Sequence, residues 1–193
     1  MTEAAIAPVR ALPLAELPAA ALRIAAGFAS RSVEGLAAVQ IGPGLDDGTV
    51  MVRAAAPTRA VEITAQGTCT RRLALPTAAL RAALKLDRGA EHVAIVEAGE
   101  LVSLRTFSPV CTVAVSMPTA RDVEPLRFPP VEPGPCGVRF DPALLRATLA
   151  DLAPLSTLLI EPYAHGLQIT GEAEGVSVFA LLAGVAKVGA DDE

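Results

Sequence analysis

Aromatic side chains are nearly missing from this chain. They make up 3% of its 193 residues, and there is no Trp. A core must then be built from Val, Leu, Ile and Ala, and stacking platforms for single-stranded nucleic acid are nearly absent. Histidine is as scarce, with His92 at the start of a strand-like run and His165 in a turn. No nucleophile–base–orienter set can be assembled from such a stock, so an enzyme is not expected. Cys69, Cys111 and Cys136 are odd in number, far apart and free of CxxC pairing. That pattern points to neither a zinc site nor a disulfide framework, and the three read as buried small hydrophobes. Asp46-Asp47 precedes a Gly in a turn and lacks the partners of a metal site. Gly42-x-Gly44 has no helix behind it to cradle a phosphate. No cofactor and no metal is expected. No apolar run reaches the roughly 18 residues of a membrane span. The first residues lack the basic start and apolar core of a signal peptide, so a cytoplasmic location is expected.

What is abundant is apolar aliphatic residue. Hydrophobic residues reach 52% and charged residues 19%, the balance of a globular chain. The formal net charge of −5 excludes a uniformly basic coat but leaves room for one basic face. A short phrase is written three times, as Leu17-Pro-Ala-Ala-Ala-Leu-Arg-Ile-Ala-Ala26, Leu75-Pro-Thr-Ala-Ala-Leu-Arg-Ala-Ala-Leu84 and Phe140-Asp-Pro-Ala-Leu-Leu-Arg-Ala-Thr-Leu149. The offsets are 58 and 65 residues, and Arg23, Arg81 and Arg146 fall in register. An internal repeat of this period decides the architecture.

Each copy reads as a helix with strands behind it. In the first unit a short strand over Val9–Leu12 precedes a helix from about Ala15 to Ala29, with apolar residues at helical spacing. Strands follow at Leu36–Ile41, Thr49–Ala55 and Arg59–Ala65. The second unit has a strand over Thr70–Ala74, a helix over Thr77–Leu86, and strands at Val93–Glu97, Leu101–Thr106 and Val110–Ser116. Met117–Gly137 carries Pro118, Pro125, Pro129, Pro130, Pro133 and Pro135, and reads as an extended connector. The third unit opens at Val138-Arg139-Phe140. Asp141 is its helix N-cap, Pro142 the first helical residue, and the helix runs to about Asp151. Strands at Thr157–Glu161, Leu167–Gly171 and Val176–Leu182 complete it. The expected fold class is α+β, made of repeated β-α-β-β-β units. One such unit cannot bury both its helix and its hairpin, so units must pair, with helices on one face of a continuous antiparallel sheet. Residues 1–116 form a domain of two units, 117–137 the connector, and 138–193 a third unit equal to half a domain.

This plan resembles the DNA sliding clamps, above all the bacterial beta clamp of DNA polymerase III. Thr70–Phe128 is similar to the second half of a clamp's first domain. It has the small-residue strand, the Leu-x-x-x-Leu helix, the hairpin from Ala94 to Leu104, Met-Pro and a Pro-rich connector. Thr157–Val188 is similar to a last half-domain, through Gly166-Leu-Gln-Ile-Thr170 and Phe179-Ala-Leu-Leu182. Ala15–Gly67 resembles the opening half-domain. The resemblance implies a non-enzymatic processivity factor that encircles duplex DNA as a homo-oligomeric ring and tethers polymerase or repair proteins. A second possibility is a clamp-fold adaptor or inhibitor that binds a clamp or replication protein without encircling DNA. Family rings contain twelve units and bacterial subunits six, so three units per chain imply four chains.

In the family the helices line the hole, and their basic residues meet phosphates without reading sequence. Carried onto this chain, the DNA-contacting residues are Arg23 and Arg31 on the first helix, Arg81, Lys85 and Arg88 on the second, and Arg146 on the third. Arg81, Lys85 and Arg88 share one helical face opposite Leu80 and Leu84. An ordinary solvated helix face is the competing reading. The family also captures short linear peptides of its partners in a greasy pocket. By position, Ala164, Gly166, Ala180 and Leu182 would form it, with Val123, Leu126 and Phe128 of the connector as a wall. Plain core packing competes there. Arg105–Ser116 and Val176–Leu182 are candidate edge strands for joining subunits.

Overall fold

The computed structural model describes residues 13–30, 32–33, 36–121, 123–128, 132 and 140–184. The expected strand over Val9–Leu12, and Arg31 and Cys136, lie outside these residues. The first unit comprises β1 (Ala15–Pro18), α1 (Ala19–Phe28), β2 (Ala38–Pro43), β3 (Thr49–Ala56) and β4 (Arg59–Gln66). After the short β5 (Thr68–Cys69), the second comprises β6 (Leu73–Pro76), α2 (Thr77–Leu86), β7 (His92–Ala98), β8 (Leu101–Phe107) and β9 (Thr112–Met117). The two-residue β10 (Ala120–Arg121) precedes the connector. The third unit contributes α3 (Pro142–Asp151), β11 (Thr157–Tyr163), β12 (Gly166–Ala173) and β13 (Val176–Ala183).

The first helix begins four residues later than its apolar spacing suggests, because Ala15–Pro18 is a strand. The cause is the Leu-Pro dipeptide. A residue ahead of proline is pushed out of the helical region, and Pro18 itself sits at φ −60°, ψ 135°. Leu75-Pro76 acts the same way, which moves the second unit's strand from the expected Thr70–Ala74 to Leu73–Pro76. The helix behind it, Thr77–Leu86, matches the sequence reading residue for residue.

The sheets correct a further expectation. Instead of one continuous sheet there are two, one ordered β5-β1-β7-β8-β9 and one ordered β10-β6-β2-β3-β4-β13-β12-β11. Every pairing is antiparallel, and the leading strands cross over. β1 pairs with β7 of the second unit, with Leu17 opposite Val93, while β6 pairs with β2 of the first, with Leu75 opposite Val39. The helix starts repeat this exchange. The Ala19 N–H donates to Glu91 O at 2.8 Å, and the Thr77 N–H to Ala37 O at 3.0 Å. The two units are thus related by an approximate two-fold and are inseparable.

The core follows from strand alternation. Val50, Val52 and Ala54 point inward beside Val61, Ile63 and Ala65, and α1 lies over them with seven of its ten residues buried. Each large aliphatic side chain so buried contributes about 1.5–3 kcal/mol. The third unit joins through β13, whose Val178 pairs with Ile63 of β4. Val176–Ala183 is therefore an interior strand, not an edge, whereas β9 and β11 end their sheets. Of the cysteines, Cys69 is half-buried and Cys111 exposed, against the expectation of burial. Among the described residues no helix is long and apolar enough to cross a membrane.

One polar knot secures the third unit. Arg59 on β4 donates to Asp151 Oδ2 of α3 at 2.8 Å and to Gly27 O of α1 at 2.6 Å, and its guanidinium lies 5.0 Å from the centre of the Phe28 ring. Gly27 allows the approach, since a Cβ there would stand 2.4 Å from Asp151 Cγ. Asp151→Ala leaves a half-buried guanidinium without its carboxylate and should cost about 1–3 kcal/mol in denaturant unfolding. Arg59→Ala should cost a similar amount, and the double variant less than the sum, because the pair is lost only once.

Candidate functional site: a basic interhelical cleft and the connector groove

The three helices frame a cleft of about 800 Å3 on the helix face of the molecule. Arg23 and Gly27 reach it from α1, Arg81 and Lys85 from α2, and Ala147, Ala150 and Asp151 from α3, with Arg59 and Arg88 at its walls. Five cationic side chains thus share one cleft with a single carboxylate, in a chain whose net charge is −5. The excess of acidic residues sits elsewhere. The fold concentrates the basic residues by bringing two helices from different units together.

The cations divide by task. Arg23 on α1 donates to Ala90 O at 3.0 Å, Asp87 O at 3.2 Å and Arg88 O at 2.9 Å, the carbonyls just past α2. Arg81 on α2 donates to Ala26 O, with its Nε at 2.8 Å, and to Gly27 O at 3.2 Å, at the end of α1. Arg23 and Arg81 therefore each reach carbonyls at or just past the end of the other unit's helix, where the negative end of the dipole favours a cation. Both side chains also line the cleft. Lys85 and Arg88 are exposed, and among the described residues neither forms an ion pair.

Of the residues assigned to DNA from the sequence, the structure brings Arg23, Arg81, Lys85 and Arg88 together. Arg146 stays out of the cleft and donates within its own helix, to Pro142 O at 3.2 Å. Arg31 lies outside the described residues. Arg59 was missed because it sits on a strand. It reaches the helix face through its place in the β4–β13 ladder, opposite Leu182.

On the opposite face the connector is held by an amide clamp. Gln40 Nε2 donates to Glu124 O at 3.1 Å, and the Leu126 N–H donates to Gln40 Oε1 at 2.8 Å. Beyond it, Leu126 and Phe128 line a groove of about 300 Å3 with Tyr163, Leu181 and Ala183. Burial pushes the Tyr163 phenol up from its ordinary value. Val123 belongs to a smaller neighbouring cavity beside Pro125. Ala180 and Leu182 are fully buried, and Gly166 is packed so that a Cβ would stand 1.9 Å from Leu182 O. Ala164 is tied to the connector, its N–H donating to Glu132 O at 2.9 Å. The groove thus uses Leu181 and Ala183 where the sequence reading named Ala180 and Leu182. A one-residue slip in a strand exchanges its two faces. Among the described residues no group of His, Cys, Asp and Glu could hold a metal ion.

Because Arg81 caps α1, Arg81→Ala should lower stability by about 1.5–3 kcal/mol, the worth of hydrogen bonds from a charged group. Lys85→Ala, on an exposed side chain, should change it by less than about 0.5 kcal/mol. Thermal or denaturant unfolding of the two variants checks the division.

No protein-family model matches the chain, and no curated protein matches it in sequence. Solved structures do. The DNA polymerase III beta subunit of Thermotoga maritima superposes with a TM-score of 0.58 at 10% identity, over 91% of this chain and 66% of that one. The beta chain of DNA polymerase III from Streptococcus pneumoniae gives 0.56 at 9% identity, over 92% and 66%. The Helicobacter pylori beta clamp gives 0.57 at 10%, over 94% and 68%. The chain therefore spans about two thirds of the length of the beta subunits it superposes on, and its fold is that of the sliding clamps.

Proposed function

We propose that this chain is a clamp-like processivity factor, whose copies close around duplex DNA and tether a polymerase or repair protein. It carries no chemistry of its own in this reading. The observation that bears the most weight is the segregation of charge. Five cations face one interhelical cleft on an otherwise acidic molecule with the clamp fold. Contacts from Lys85, Arg88 and their neighbours would neutralise phosphates without reading bases, as sliding requires. Residues 1–116 act as the complete domain, 117–137 as the connector, and 138–193 as a half-domain. The groove beneath Leu126 and Phe128 would accept an apolar anchor of a partner's linear peptide. Tethering raises the partner's effective concentration at the template.

The second reading, an adaptor that joins a complete clamp without encircling DNA, is favoured by the third unit, whose β11 ends its sheet among the described residues. Topology separates the two. A ring is retained on circular duplex and lost when that duplex is cut, whereas an adaptor shows no such difference. In a ring, Lys85→Glu with Arg88→Glu should weaken DNA binding and flatten the slope of log affinity against log salt by roughly two, about 0.9 per lost phosphate contact. Titrations at several salt concentrations read this directly. Phe128→Ala with Leu126→Ala should weaken capture of a clamp-binding peptide more than about tenfold while leaving DNA affinity unchanged, since neither side chain lines the basic cleft.

A further inference from the structure

We infer that the third unit is completed by the third unit of a second copy, across a two-fold that repeats the join between the first two units. The inference rests on the fold alone and holds whether or not the chain meets DNA. In the first two units, the strand just behind the helix is never an edge. β2 is paired by β6, and β7 by β1, each strand arriving from the other unit. β11 holds the same place behind α3, yet among the described residues it ends its sheet.

The helix tells the same story in repeat register. Leu22 and Ala26 of α1, and Leu80 and Leu84 of α2, are all buried. Their counterparts on α3, Leu145 and Leu149, are half-exposed, and Thr148 is the only fully buried residue of that helix. Helical spacing turns Leu145, Arg146 and Leu149 away from the side that carries Ala147, Ala150 and Asp151 toward α1. Ile160 lies on the inward face of its sheet, opposite buried Ile169, and is nonetheless 45% exposed.

Arg146 identifies the occupant. Its two counterparts, Arg23 and Arg81, each cap the helix end of the opposite unit, whereas Arg146 donates only within its own helix among the described residues. A second α3 running antiparallel supplies the missing carbonyl end, and does so reciprocally, as an isologous contact requires. Two chains joined this way hold six units.

Sedimentation equilibrium of the full chain tests the join. A concentration-dependent dimer is expected. Arg146→Glu and Ile160→Asp, both at exposed side chains, should each raise its dissociation constant at least tenfold with unchanged far-ultraviolet circular dichroism. In a background without native cysteines, Leu149→Cys, near the two-fold, should form a disulfide-linked dimer on oxidation. A strict monomer up to about 100 μM would overturn the inference. So would a dimer that survives both variants and is lost instead when the outer edge of β9 is blocked by Ala114→Lys with Ser116→Lys.

Discussion

Two arginines reaching across to each other's helix end hold this molecule in its arrangement. A β-α-β-β-β unit buries its helix only if a second unit supplies a leading strand and a flank. Arg23 and Arg81 lie in register in the repeat, and each ends on the carbonyls that close the opposite helix. The crossing of β1 and β6 and the pair of caps are one constraint seen twice, first in backbone and then in side-chain hydrogen bonds. Neither helix has a side-chain cap of its own at its start, because Leu-Pro occupies that place in both. Their first N–H groups turn instead to the other unit. One N–H at each helix start and carbonyls at or past each helix end are met by the partner unit, which couples the pair.

The same arrangement produces the basic cleft. An arginine that caps a helix must sit between helices. Arg23 and Arg81 therefore line the cleft as structural residues, while the exposed Lys85 and Arg88 add charge to it. Away from the cleft, Gln40 holds the connector at Glu124 and Leu126 as a neighbouring strand would, through one donor and one acceptor. The two faces differ because helices cover one side of the sheets and only a crossing segment covers the other.

What could be read from the sequence follows the range of each signal. Helical spacing and alternation are local, so the second and third helices and the hairpins were legible to within a residue or two: Thr77–Leu86 as read, and Leu101–Phe107 against an expected Leu101–Thr106. The late start of α1 was legible too, had Leu17-Pro18 been weighed above the apolar spacing. Partner choice is not local. Alternation says which side chains share a face, but not that β1 leaves its own unit, nor which face of β13 looks outward. That second ambiguity moved the groove from Leu181 and Ala183 to Ala180 and Leu182. Arg59 was invisible for the same reason, since its acceptors on α1 and α3 are set by tertiary packing.

The third unit shows how far the constraint extends. Its attachment to the rest uses edge pairing of β4 with β13 and the Arg59–Asp151 knot, both at the margin of the first pair. Those contacts position α3 beside α1, and among the described residues they leave its far side and the edge of β11 uncovered. The contrast with α1 is quantitative: seven of ten residues are buried there and one of ten in α3, although the two helices share their repeat phrase. The sequence writes the same arginine and the same apolar positions a third time, on a helix whose far side is exposed. Asp141, whose carboxylate accepts the Ala143 N–H at 2.8 Å, gives α3 the start cap that α1 and α2 lack. That local cap makes α3 less dependent on a neighbour for its own formation. It stands folded at the margin of the molecule with its far side presented.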